Sequence, residues 1–187
     1  MNATRVLPGI DSPPRIATTL VLAAYIDAAL SWRFDLSLAL LAYLVFGTVG
    51  AVVVVTDFTT RKIPARLVLP AYPLALGPLA VAAAGHGHWW PLERGAVAMV
   101  AVCGFYLLLG LTFAGQLGIG DIELGGLLGL YLGWIGWSAL VAGTLLGWAL
   151  AAAAIPVRMV VGGTTTRELP AGPFLVAGVL VAVLAIR

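Results

Sequence analysis

The chain has 187 residues, of which 61% are hydrophobic and only 10% charged, and its mean hydropathy of +1.06 excludes an ordinary soluble domain. A net charge of +2 carried by scattered basic residues offers no nucleic-acid surface. The single cysteine, Cys103, lies within an apolar run, which excludes a disulfide framework or a cysteine-based metal site within one chain. The fold expected is therefore all-α, a polytopic membrane protein whose partner is the lipid bilayer.

The first fifteen residues, MNATRVLPGIDSPPR, are proline-punctuated and predict a disordered tail. Charges and Gly/Pro breaks then divide the chain into seven candidate spans near residues 16–32, 36–56, 67–84, 95–113, 122–136, 138–157 and 171–187, measured against the roughly 20 apolar residues a helix needs to cross the hydrocarbon. The first span follows Arg5 and Arg15 with no small-residue cleavage site before the next, so residues 16–35 read as an uncleaved anchor and turn. Residues 36–187 then form a six-helix core. Asp27, near the outer end of the anchor, is expected to be interfacial or paired with Arg33.

Orientation follows from the basic residues. Arg5, Arg15, Arg61, Lys62, Arg66, Arg158 and Arg167 fall on one side of seven alternating spans, and only Arg33, Arg94 and Arg187 on the other. The richer side is expected to be cytoplasmic, with the N-terminus there. The motif GHGHWWP puts His86 and His88 on the opposite side, where an exposed loop beside interfacial tryptophans is favoured over a metal site.

Two acids stand out against this background. Asp57 ends the apolar run LLAYLVFGTVGAVVVVTD, and Asp121 opens another within AGQLGIGDIELGG. Both fall at the predicted cytoplasmic boundary, a costly depth for a carboxylate and one that marks a functional or paired group. Two facing carboxylates can share one proton, so that the ionised partner activates water while the protonated one polarises or protonates a substrate. Gly118 and Gly120 allow a tight turn and close approach of an extended peptide. The blander reading makes Asp121 an N-cap and Asp57 an interfacial residue at the end of its helix. Helix ends also suggest different roles, because Asp57 meets the negative end of a dipole and Asp121 free N–H donors. Asp57 is then the acid and Asp121 the base.

Asp57 is followed by FTTRKIPARL, and D-x(5)-I-P together with G-x-G-D resembles the paired motifs of the type IV prepilin peptidases, intramembrane aspartyl proteases of the GxGD type. LPAGPFLVAGVL, residues 169–180, is similar to that family's entry into its last helix. The resemblance implies that Asp57 and Asp121 are catalytic and that Gly118, Gly120, Glu123, Ile63 and Pro64 contact substrate. It also implies removal of a short basic leader from a pilin-like precursor at the cytoplasmic face of the inner membrane, without metal or organic cofactor. The sequence departs from the pattern at Ala65, where Asn is common, at Glu123, where Lys often stands, and at Pro170-Ala171-Gly172-Pro173. It also lacks an inserted cysteine-bearing domain, having only Ser31 to Asp35 between its first two spans, so it looks like the short peptidases of tight-adherence pili. The alternatives are an inactive relative serving as a pilus or secretion assembly factor and a small proton-coupled transporter, whose acids would lie nearer mid-membrane.

Overall fold

The computed structural model describes residues 10, 12–112, 118–160 and 170–186. These form seven helices: α1 (Pro13–Phe34), α2 (Leu38–Thr60), α3 (Ala65–His86), α4 (Trp90–Thr112), α5 (Ile119–Ile135), α6 (Trp137–Val160) and α7 (Gly172–Ala185). The all-α polytopic expectation holds, and each predicted span falls on one helix. Helix α1 begins at Pro13, inside the stretch expected to be tail. The remainder of that stretch up to Gly9, the approach to Gly118, and the loop bearing Arg167 and Glu168 lie outside the described residues.

Local chemistry sets the helix ends. Ser12 precedes a proline pair that needs no N–H partner in the first turn of α1. Ser37 caps α2 by accepting the Leu40 N–H at 3.3 Å. At its other end α2 runs past the predicted boundary to Thr60, because its polar residues find partners within the helix. The hydroxyls of Thr56, Thr59 and Thr60 donate to the carbonyls of Val52, Val55 and Thr56, each at 2.8 Å. Arg61 closes α2 in the left-handed conformation, φ 54°, with its N–H on the Asp57 carbonyl. Helix α3 tolerates Pro70, Pro73 and Pro78, as membrane helices can where neighbours satisfy the freed carbonyls.

Among the described residues four helices are long and apolar enough to cross a membrane: α2, α3, α4 and the Trp137–Pro156 part of α6. Helix α5 is different. Its 17 residues rise only about 26 Å, short of a hydrocarbon core of about 30 Å, and every residue from Leu124 to Gly133 is buried. It is the axial helix of the bundle, with α4 as its most extensive neighbour and α3, α6 and α7 around it. Close approach to α4 depends on glycine, since a Cβ at Gly129 would stand 2.8 Å from the Ala98 carbonyl oxygen.

The helices run alternately up and down, so Asp57, Asp121 and the start of α7 gather at one end of the bundle, and the starts of α2 and α4 and the end of α5 at the other. At the second end Arg94 donates from Nε to the Gly133 carbonyl at 2.6 Å and from Nη2 to those of Trp134 and Ile135 at 2.7 and 2.9 Å. These are carbonyls that the end of α5 leaves without helical partners.

The pairing expected between Asp27 and Arg33 is replaced by two others. One oxygen of Asp27 accepts from Thr48 Oγ1 at 3.3 Å, and the other lies against Gly47, in a notch that a Cβ would fill. Arg33 donates instead to the Ile186 carbonyl at 3.0 Å. Asp27 lies one to two turns before Arg33 on a helix whose inward face is already turned to α2, so the nearer hydroxyl takes it.

Candidate functional site

Asp57 lies in the last turn of α2 and is buried, 5% exposed. A carboxylate so placed needs a donor, and it comes from the start of another helix. The Gly172 N–H donates to Asp57 Oδ2 at 2.9 Å. That donor is one of the N–H groups α7 cannot use internally. Gly172 must be small to come so close: an added Cβ would stand 2.9 Å from Asp57 Oδ2 and 3.0 Å from Val53 Cγ1. Arg61, one turn on, lies within electrostatic reach of the same carboxylate.

Asp121 occupies the third position of α5, with Gly118 as the N-cap. The Gly118 N–H donates to Asp121 Oδ2 at 3.2 Å, the reciprocal half of a capping box. The capping expectation for Asp121 is thus met from one turn inside the helix rather than from the cap position. The helix-end asymmetry between the two acids is smaller than the sequence suggests. Asp57 receives from Gly172 the N–H that the C-terminal end of its own helix cannot supply.

Ile63 ties the two neighbourhoods together. Gly120 lies directly against the Ile63 carbonyl, with no room for a Cβ, which would also stand 2.9 Å from Ile63 Cβ. On its other side Ile63 Cδ1 would be 3.2 Å from a Cβ at Gly172. The Ile-Pro turn is therefore a wedge between the start of α5 and the start of α7. Pro64 fixes its exit as the N-cap of α3. The contacts run from Asp57 to Gly172, to Ile63 and to Gly120, next in sequence to Asp121.

Glu123 lies one half-turn beyond Asp121 on α5. Its carbonyl accepts from Tyr72 Oη at 2.6 Å, while its own Oε2 is buried without a hydrogen-bond partner among the described residues. Lys62 and Arg66 are exposed and Arg61 is partly so, positions open to headgroups. His86 closes α3 with Nδ1 2.8 Å from the Ala82 carbonyl.

Two contributors carry no sequence signal of their own. Gly172 acts through its backbone N–H, and only its place in the LPAGPFLVAGVL segment could have drawn notice. Tyr106, buried in α4, lays its ring on Gly125, where an added Cβ would be 3.1 Å away. Gly125 is one turn beyond Asp121 on the same face of α5, and Asp121 lies within electrostatic reach of Tyr106. The Tyr106 hydroxyl accepts from Trp148 Nε1 at 3.1 Å.

Each of the two carboxylates thus accepts a backbone N–H, Asp57 from Gly172 and Asp121 from Gly118, next to glycines, Gly172 and Gly120, packed with no room for a side chain. No curated protein and no solved structure matches the chain. Residues 41–186, from early α2 to the end of α7, match the type IV leader peptidase family, and the chain is a membrane-embedded member of that family.

Proposed function

We propose that the chain is an aspartyl endopeptidase that removes the leader of a pilin-like precursor at the cytoplasmic face of the inner membrane, with Asp57 and Asp121 as its catalytic pair. The observation that carries this reading is the meeting, around Ile63, of the three segments that the family resemblance singles out. Asp57-to-Pro64, Gly118-to-Asp121 and the start of α7 are far apart in sequence but share contacts at Gly120 and Gly172.

In this mechanism the two carboxylates hold one proton between them. The ionised member takes a proton from water as the water attacks the scissile carbonyl. The protonated member supports the developing oxyanion and then protonates the departing nitrogen. Gly118, Gly120, Ile63 and Pro64 border the peptide, and Glu123 meets a basic residue of the leader. The reaction needs no metal or organic cofactor, and persistence of cleavage in a chelator checks that point.

The deciding experiment is cleavage of a co-expressed precursor carrying a short basic leader, a glycine and an apolar helix, compared between wild type, Asp57→Asn and Asp121→Asn. Processing by wild type alone is the expected result. Processing by a folded Asp121→Asn protein would end the catalytic reading. A folded wild type that binds the precursor without cutting it would instead identify an assembly factor.

A further inference from the structure

Asp57 and Asp121 are carried by α2 and α5, yet these helices do not pack along their lengths. Helix α2 lies chiefly against α1 and α3, and α5 chiefly against α4. What spans the gap is a pair of tyrosines near the opposite end of the bundle. Tyr43 Oη donates to the Tyr131 carbonyl at 2.7 Å, and Tyr131 Oη donates back to the Ala42 carbonyl at 2.9 Å. Both rings are fully buried, with centroids 5.2 Å apart.

The reciprocity matters. Each hydroxyl binds a backbone carbonyl of the facing helix, using the lone pair that the helical ladder leaves over. Sliding one helix by a single residue is a shift of about 1.5 Å, enough to break both bonds, whereas apolar contact alone would tolerate it. Buried this way, neither hydroxyl has water to turn to. The surroundings hold the pair still: Phe34 stacks on Tyr43 at 4.1 Å, Phe46 lies 5.2 Å from Tyr131, and Arg94 grips the α5 carbonyls just beyond.

The clasp acts over a long arm. Tyr43 precedes Asp57 by fourteen residues and Tyr131 follows Asp121 by ten, about 21 Å and 15 Å of helix. A tilt of about 4° at the clasp moves a carboxylate about 1.5 Å over the longer arm, and a displacement near 1 Å at a reacting centre can cost about a hundredfold in rate.

We propose that the Tyr43–Tyr131 clasp is a positioning device that fixes the register and tilt of the two acid-bearing helices, and so the meeting of Asp57 with Asp121; this rests on the reading of those acids as the catalytic pair. Two measurements on the full-length protein test it. Kinetics on a precursor with a short basic leader, a glycine and an apolar helix compare wild type with Tyr43→Phe and Tyr131→Phe. Dipolar EPR between spin labels on Phe58→Cys and Ile119→Cys, both exposed, in a Cys103→Ser background, reads the distance between the aspartate ends of α2 and α5 with and without each Phe change.

The expected result is a kcat per folded molecule lower by about 10- to 100-fold with KM within about twofold, together with a broadened distance distribution. A purely structural clasp would lower yield and leave both quantities at wild-type values, and that outcome overturns the proposal. So does a loss of kcat with unchanged distances, or broadened distances with unchanged kcat. If wild type cleaves no precursor, the catalytic reading falls and the EPR comparison alone decides whether the clasp sets the helix ends. If Tyr131→Phe fails to fold, Tyr43→Phe, which removes one of the two bonds, carries both measurements.

Discussion

The two ends of the bundle are fastened in different ways. At the end opposite the aspartates, long polar side chains reach across to backbone carbonyls: Arg94 to the last turn of α5, Arg33 to Ile186, and the two tyrosines to each other's helices. At the aspartate end one such bond recurs, from Tyr72 Oη to the Glu123 carbonyl, but the contacts at the carboxylates themselves are short-range, made by glycines against a carbonyl or a carboxylate, with two backbone N–H groups as donors. The difference teaches where each kind of order is useful. Side-chain clamps onto carbonyls give rigidity where nothing has to enter. Missing side chains let the starts of α5 and α7 close on Ile63 and Asp57, and backbone donors hold a carboxylate without adding a side chain beside it.

This contrast can be broken or sharpened by substitution. The largest effect is expected for Asp57→Asn and Asp121→Asn, each lowering cleavage by about 10³-fold or more while leaving the thermal midpoint close to wild type; a precursor-processing assay beside a melting curve reads both. Next comes Gly120→Ala, whose methyl group meets the Ile63 carbonyl. A fall of about 100-fold in kcat/KM is expected, with the opposite end undisturbed, as hydrogen exchange at α5 residues near Tyr131 would register. Arg94→Ala is the converse. It strips the α5 carbonyls of their donor and should cost about 2 kcal/mol of stability, visible in thermal unfolding, with a smaller loss of kcat in the folded fraction than Gly120→Ala causes. The smallest effect is expected for Thr48→Val, which removes the hydrogen bond to Asp27 at about 0.6 kcal/mol and leaves cleavage unchanged. Should Arg94→Ala slow catalysis more than Gly120→Ala, the division of labour between the two ends would not stand.

The sequence discloses the two ends unequally. Asp57 and Asp121 are legible because an acid bordering an apolar run is costly enough to mark a functional or paired group, even though a helix cap or an interfacial place also accounts for each, and Gly118 and Gly120 because they precede one of them. Span positions follow from apolar length and punctuation, and the α2 boundary slipped only because the hydroxyls of Thr56, Thr59 and Thr60 satisfy themselves within the helix. The Gly172 donor is a backbone group, and no residue type announces it. Tyr43, Tyr106 and Tyr131 look like ordinary members of apolar stretches, since a membrane helix that is hydrophobic all round has no polar stripe to show which side meets a neighbour. For the same reason the axial place of α5 is hidden. Asp27 was visible as an anomaly, but its partner was not, because Thr48 lies on another helix and Arg33 on its own.

The short length of α5 has a consequence for the lipid. Hydrophobic mismatch acts on helices that touch acyl chains, making them tilt or compress as the bilayer thickens or thins. Helix α5 is shielded by its neighbours, and its ends finish on Arg94 and on its own Asp121 rather than on headgroups. A change of lipid should therefore be absorbed by helices such as α4 and α6, the least buried of the four long apolar ones. The distance between Asp121 and the clasp should then be the same in thin membranes as in thick ones.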